Sequence, residues 1–165
     1  MATHEFVLAL RAKIGHDPLP LNGATNVVFD DQGRVLLVRR ADDRRWTLVS
    51  GIIEPGEEPA AGALREIEEE TGVIAEVDRL LGIGVRDLAT LINGDQVWWT
   101  SIMFRCRHVS GEARVNDDES IDVGWFRLDD LPELPPHHVH ALTLARADEP
   151  AWFGVPGSSE TKGSA

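Results

Sequence analysis

The chain has 165 residues, of which 42% are hydrophobic and 27% charged, a composition typical of a single globular domain. Its formal net charge of −12 argues against binding to a nucleic-acid backbone, because phosphate contacts need clustered lysine and arginine. The N-terminus lacks the basic region of a signal peptide, and no run approaches the roughly 18 apolar residues of a membrane span. We therefore expect a cytoplasmic protein with neither membrane nor nucleic-acid partners.

The chain begins with a short helical pattern. Phe6, Val7, Leu10 and Ile14 recur at helical spacing, and Gly15 ends the pattern. We treat residues 1–20 as an N-terminal helical extension, residues 21–150 as the main domain, and residues 151–165, rich in Gly, Ser and Thr near the end, as a flexible tail.

Two β-rich runs follow, over residues 23–30 and 34–40, and Gly33 between them suits the left-handed position of a hairpin bulge. The run Val35–Val38 is apolar without alternation, which indicates a strand covered on both faces. This pattern predicts an α/β fold with helices on both sides of a sheet.

Four arginines and two aspartates then precede Trp46. One interpretation is a solvated loop whose charges compensate each other. The other is a guanidinium clamp for phosphate, because arginine matches phosphate oxygens in bidentate geometry. For substrate binding we take Arg39, Arg40 and Trp46 as candidates.

The stretch Gly51–Val73 carries seven acidic residues and one base, Arg65. Its sequence Glu54-Pro55-Gly56-Glu57 has the residue preferences of a type II turn. Proline suits the first position of a helix and glycine the residue just past its end, so Pro59 and Gly72 predict a helix over about residues 59–71.

In that helix, Glu66, Glu69 and Glu70 fall on one flank, whereas Glu68 falls on the opposite one. Like charges three and four residues apart destabilise an isolated helix by a few tenths of a kcal/mol per pair, roughly. A cation that neutralises them explains such a cluster, and we predict a hard-metal site here.

Strands are predicted over residues 73–85 and 96–108, with Asn93-Gly94-Asp95 as the turn between them. Trp98 and Trp99 point to opposite faces of the second strand, so at most one lines the metal-binding pocket. Trp98 is the candidate for substrate binding, with packing as the alternative role for either ring. Cys106, in the same strand, is the single cysteine, which excludes an intramolecular disulfide.

The last third of the domain predicts a short turn and strand at 111–116, an acidic loop Asp117-Asp118-Glu119, a strand at 123–128 and a helix at 135–146. The run His137-His138-Val139-His140 is a weak zinc signal without cysteine or a second ligand pair, and it favours surface or pocket-rim histidines.

The central stretch resembles the signature of the Nudix family: Gly, five residues, Glu, seven residues, Arg-Glu, an aliphatic residue, one residue, Glu-Glu, one residue, Gly and an aliphatic residue. Every position matches, through Gly51, Glu57, Arg65, Glu66, Ile67, Glu69, Glu70, Gly72 and Val73. The resemblance implies an α/β/α sandwich with a mixed sheet, and a hydrolase that uses Mg²⁺, or Mn²⁺ as a substitute, on a nucleoside diphosphate linked to another group.

By position, the resemblance implies that Glu66, Glu69 and Glu70 bind metal. Glu57 and the Gly51 carbonyl are implied as further or water-mediated ligands. For Arg65 the implied role is to orient a carboxylate. The general base stays open between Glu69 and Glu119. Dimers are common in the resembling family, so a homodimer is one expectation.

The substrate is less defined than the reaction. The chain reads Leu48-Val49-Ser50-Gly51 where many relatives read Leu-Pro-Gly-Gly, and it lacks tyrosine and the sequence features of the ADP-ribose, NADH and coenzyme A types. This leaves a nucleoside-triphosphate-like or house-cleaning substrate. The alternatives are a non-catalytic nucleotide sensor and an isoprenoid-diphosphate isomerase, which would need Cys106 as a catalytic residue.

Overall fold

A computed structural model describes residues 4–91 and 93–154 of the chain. Its elements, in chain order, are α1 (Glu5–Ile14), β1 (Leu19–Phe29), β2 (Val35–Arg40), β3 (Trp46–Thr47), β4 (Val49–Ile52), α2 (Pro59–Thr71), β5 (Ile74–Val85), β6 (Ala89–Thr90), β7 (Gln96–Ser110), β8 (Ser120–Phe126), α3 (Pro136–Arg146) and β9 (Trp152–Phe153).

In the described part of the chain, the strands form one mixed sheet. Its main path runs β3-β2-β1-β7-β5-β9, and β4, β6 and β8 pair with β1, β7 and β2. The pairs β1–β7 and β5–β9 are parallel, and the other pairs are antiparallel. The long β1–β7 pair, in register from Leu19↔Val97 to Phe29↔Arg107, is the centre of the sheet.

Each face of the sheet is covered by one helix. On β2, Leu36 and Val38 pack with α2, whereas Val35 and Leu37 pack with α3. All four side chains are at most 2% exposed, as the run without alternation predicts for a strand covered twice. The predicted α/β/α sandwich with a mixed sheet is confirmed.

The N-terminal helix and the first hairpin are also present as predicted. Val7 of α1 packs with Leu21, Ile52 and Val97 in a third apolar cluster. Arg11 fastens the helix by donating from Nη2 to the carbonyl of Gln96, at 2.7 Å. The extension therefore lies against the sheet next to the strands that carry the predicted site.

The acidic helix has the predicted bounds, Pro59–Thr71, and ends at Gly72, which has a left-handed φ of 69°. The predicted strand at 111–116 is wrong. Residues 111–116, all described, form no strand, because two of their N–H groups donate to carbonyls in the last turn of α2. Helix C-termini leave such carbonyls without intrahelical partners, and this segment supplies donors for them.

The predicted flexible tail begins with a strand instead, because Trp152–Phe153 form β9, which pairs with β5. Residues 155–165 lie outside the described residues. Among the described residues, no helix combines the length and apolar character needed to cross a membrane.

Candidate active site

The turn and strand before α2 bring the start of the acidic stretch against the helix. Gly51 lies on β4, opposite Ala24 of β1. The Glu57 N–H donates to the Glu54 carbonyl at 3.0 Å, and Gly56 has a φ of 83°, which confirms the predicted turn. A Cβ at position 51 would overlap the Glu66 carboxylate, so only glycine lets that carboxylate lie directly on the strand.

Arg65 holds three carboxylates together. Its Nε and Nη2 donate to the two oxygens of Glu57 at 2.9 and 3.0 Å, and its Nη1 donates to Glu66 at 2.8 Å and Glu69 at 3.0 Å. The hydrogen bonds from Arg65 lower the pKa of Glu57. The guanidinium also donates to the Ile52 carbonyl at 3.1 Å, which ties the helix to β4. Arg65, the single basic residue of the acidic stretch, thus fixes the positions of its carboxylates.

Glu66 and Glu70 are buried, at 8% and 7% exposure, whereas Glu68 and Glu69 are exposed. Desolvation raises the pKa of Glu66, and hydrogen bonds from Arg65 partly oppose that rise. The pKa of Glu70 is raised well above its usual range, first by burial and then by the negative charges of Glu66, Asp117 and Glu119. This buried carboxylate stands beside like charges from two separate segments.

A cavity of about 370 Å³ opens beside this group. Gly51, Glu66 and Glu119 line its wall. We call these residues and the adjoining carboxylates of the acidic stretch, Glu57, Glu69 and Glu70, the carboxylate end. Glu66, Glu69 and Glu119 also line a neighbouring groove, together with Asp117 and Asp118. The structure therefore brings the acidic loop after β7 to the acidic helix, a proximity that the sequence could only suggest.

Of the four candidates for substrate binding, only Arg40 lines the cavity. Arg40 lines the cavity, with its guanidinium bound in bidentate fashion to Asp42 at 2.9 and 2.6 Å. Arg39 is not among the lining residues and donates from Nε to the Arg44 carbonyl at 3.0 Å. Trp46 packs edge-on against Phe126, with ring centroids 4.7 Å apart, in the cluster on the α3 side.

Of the two adjacent tryptophans of β7, only one lines the cavity. Trp98 is 42% exposed and is not a lining residue, whereas Trp99 lines the cavity. The Trp99 ring packs over Gly23, where an added Cβ would lie 3.5 Å from ring atom Cε3. The predicted alternation is correct, and the pairing of β7 with β1 decides that Trp99 faces the cavity.

Among the other lining residues, His4 and Arg86 had no clear signal in the sequence, whereas His137 and His138 fit the prediction of pocket-rim histidines. His4 lines both the cavity and the groove, and its Nδ1 lies 3.1 Å from Glu54 Oε1. Arg86 follows β5 directly, and His137 and His138 stand on the first turn of α3. A prediction of the parallel β1–β7 pair would have been needed to find them, because they meet only across the folded sheet.

The donor chemistry of the carboxylate end fits a hard divalent cation. Its side-chain oxygens come from carboxylates, the ligands that Mg²⁺ and Mn²⁺ prefer. The mutual repulsion around Glu70 is what a cation would relieve. Among residues 4–91 and 93–154, no three His, Cys, Asp or Glu side chains stand at the spacing of metal ligands, and Arg65 donates to one oxygen of Glu66.

Fold and site together define an α/β/α hydrolase with a carboxylate cluster on a helix, of the kind that acts on phosphoanhydride bonds. The NUDIX domain model matches residues 20–147, and the chain belongs to the Nudix hydrolase family.

Named relatives agree with this family. A MutT-like protein of Streptomyces ambofaciens is 34% identical over 130 residues, covering 79% of this chain and 78% of that protein. A putative 8-oxo-dGTP diphosphatase of Bacillus subtilis is 39% identical over 110 residues, covering 67% and 68%. The crystal structure of a MutT NUDIX hydrolase from Burkholderia pseudomallei superposes with a TM-score of 0.62 at 32% identity, covering 76% of this chain and 98% of that one.

Proposed function

We propose that the protein is a magnesium- or manganese-dependent pyrophosphohydrolase that cleaves a nucleoside diphosphate linked to another group. The observation that carries this proposal is the carboxylate end itself. Glu66 and Glu119, which are 53 positions apart in the sequence, line one cavity together with Gly51. The full family signature surrounds that point.

We assign metal binding to Glu66, Glu69 and Glu70, with Glu57 and the Gly51 carbonyl as further or water-mediated ligands. A divalent cation bound there would lower the pKa of an attacking water and neutralise charge on the phosphate oxygens. The role of Arg65 is to hold Glu57 and Glu69 in place, through the hydrogen bonds that already join them.

The general base is Glu69 or Glu119. Both line the groove beside the cavity, and Glu69 is exposed, so its carboxylate can reach a water without leaving a buried position. Glu119 is half-buried, and its loop is held by Asp117, which accepts hydrogen bonds from the N–H groups of Glu119 and Ser120.

For the substrate, we propose a nucleotide of the triphosphate-like or house-cleaning kind. The relative in Bacillus subtilis that is called an 8-oxo-dGTP diphosphatase supports a triphosphate-like substrate. Arg40 would bind phosphate oxygens at the cavity wall. The predicted binding roles of Arg39, Trp46 and Trp98 remain part of this proposal, although none of the three lines the cavity.

Two alternatives are less well supported. Cys106 is fully buried in the α2-side cluster, and burial raises the pKa of its thiol to about 12, which is opposite to the activation that a catalytic cysteine needs. This disfavours an isomerase. A nucleotide sensor would bind substrate and metal without turnover. The domain bounds, a homodimer and a cytoplasmic location also stay predictions.

The test is a phosphate-release screen over nucleoside triphosphates, nucleotide sugars, dinucleotides and diadenosine polyphosphates, each with Mg²⁺ and with Mn²⁺. Hydrolysis that requires the cation and is lost in Glu69→Gln supports the proposal. Binding of cation and nucleotide with no hydrolysis in any class would reject it in favour of the sensor.

A further inference from the structure

The cavity wall also carries an arginine and two histidine side chains from other segments of the chain. Arg86, His137 and His138 contribute to its wall, and we call these three residues the arginine end. The charges that act on Glu70 come from Glu66, Asp117, Glu119 and Arg40. Burial and the charge of Arg86 lower the pKa of His137 to about 4. Burial, followed by the charges of His137, Arg86 and Arg40, lowers the pKa of His138 to about 3.

Arg86 has no counter-charge among the described residues. In residues 4–91 and 93–154, its side chain makes no hydrogen bond or ion pair, and only its backbone N–H is used, donating to the Trp99 carbonyl at 2.9 Å. The other two arginines of the wall differ, since Arg40 pairs with Asp42 and Arg45 stands 4.0 Å from Asp43. In a chain with 28 acidic and 16 basic residues, an unpaired arginine facing a cavity is unexpected.

The position of Arg86 leaves its guanidinium accessible to a ligand. Arg86 is exposed by surface area, yet the surrounding protein removes enough water to lower the pKa of its guanidinium. A partly desolvated cation gains most from an anion that restores the lost interaction. A ligand can supply that anion, because no carboxylate in residues 4–91 and 93–154 pairs with Arg86.

His138 adds a fixed donor to the same region. The Leu48 N–H donates to its Nδ1 at 3.2 Å, so the neutral ring carries its proton on Nε2. The ring is 4% exposed and packs edge-on against His137, with centroids 4.2 Å apart, which fixes its orientation. Arg86 and His138 therefore both offer donors to the cavity, and the first turn of α3 adds partial positive charge.

We propose that the arginine end binds a second anionic group of the substrate, a phosphate distinct from the diphosphate at the carboxylate end, with Arg86 as the residue that selects for it. This inference rests on the proposed function and deepens it. A guanidinium fork matches phosphate oxygens in bidentate geometry. The phosphate is either the terminal one of a triphosphate chain or a phosphomonoester on a sugar.

The experiment measures kcat/KM with Mg²⁺ for two matched pairs that differ by one phosphate, GTP against GDP and NADPH against NADH. In one of the two pairs, the wild-type protein should prefer the member with the additional phosphate. That pair identifies whether the bound phosphate is the terminal one of a triphosphate or a phosphomonoester on a sugar. Arg86→Gln should lower kcat/KM for that member roughly 10- to 100-fold, as for the loss of a charged hydrogen bond, and leave the other member within about twofold. Arg86→Lys should keep part of the preference.

Arg127→Gln is the matched control, because Arg127 is an exposed arginine outside the cavity and should leave both pairs unchanged. Equal losses for both members of a pair in Arg86→Gln, or no preference in the wild type, would overturn the inference.

The two proposals can fail separately. If no substrate is hydrolysed, the proposed function fails, and calorimetric titration of the same pairs in EDTA still tests Arg86. If the wild-type protein binds the member with the additional phosphate more tightly and Arg86→Gln loses this preference, the result supports the inference about the arginine end. If the wild type and Arg86→Gln bind that member equally well, the result rejects the inference.

Discussion

The carboxylate end and the arginine end of one cavity are built in different ways. Most of the carboxylate end comes from 23 consecutive residues, and Arg65 already holds three of its carboxylates. The arginine end is assembled from Arg86, directly after β5, and from the start of α3, where His137 is 51 positions further along the chain. The comparison indicates that the reaction is encoded locally, whereas substrate selection depends on how distant segments meet.

The largest expected effect is at the carboxylate end. We expect Glu69→Gln and Glu70→Gln each to lower kcat by on the order of 10²- to 10⁴-fold while the fold persists, because each loses charge where water is activated. Steady-state kinetics and circular dichroism check this. Glu68→Gln is the control, since Glu68 is exposed on the other flank of α2. Wild-type rates in both Glu69 and Glu70 variants would show that the reaction is not organised at this end.

A second prediction uses stability. Mg²⁺ or Mn²⁺ should stabilise the wild-type protein against unfolding by about 2.7 kcal/mol at 100 times the dissociation constant. Glu70→Gln should reduce this gain, because it removes both a ligand and the repulsion that the cation relieves. Thermal unfolding with metal and with EDTA measures it. Equal gains in the variant and the wild type would place the cation elsewhere.

A third prediction concerns pH at the arginine end. His138 has a folded pKa of about 3, below the ordinary value of 6.5, so the unfolded chain binds a proton more readily. Its contribution to stability is therefore complete above pH 6.5 and is lost as the pH falls towards 3. At pH 5 the loss should be about 2 kcal/mol relative to pH 7.

Denaturant unfolding of the wild type and of His138→Asn at pH 7 and pH 5 measures this loss. The Asn side-chain oxygen can still accept from the Leu48 N–H but does not titrate, so the variant should show a smaller change with pH. The same pH dependence in both proteins would mean that other groups cause it.

The smallest expected effect separates the two tryptophans. Trp99→Leu should raise KM by roughly 2- to 10-fold, because an aromatic contact with the substrate is worth about 0.5 to 1.5 kcal/mol. Trp98→Leu should raise KM less than Trp99→Leu does, since Trp98 is exposed and does not line the cavity. Substrate titrations of the two variants measure both KM values. The substitutions are chemically identical and adjacent in the sequence, so each variant is the control for the other. A larger effect at Trp98 would move the binding surface to the other face of β7.

Much of the fold was predictable because its signals are local. The apolar run of β2 predicted burial on both faces, and Pro59 and Gly72 set the ends of α2. The segment 111–116 could not be predicted as irregular, because its N–H groups bind the end of α2, a contact made only in the folded protein. The short strands β3, β4, β6 and β9 likewise owe their pairing to neighbours that are already in place.

By itself, the sequence determined the acidic helix, the turn before it and the family. The reason is physical: residues three and four apart share a flank of a helix whatever surrounds it. Only the tertiary structure decided that Glu119 joins Glu66, that Trp99 faces the cavity, and that Arg86 stands near His138 with no carboxylate partner in the described part of the chain. These proximities depend on the parallel β1–β7 pairing and on helices packed on opposite faces of one sheet, which bring together residues that no local pattern relates.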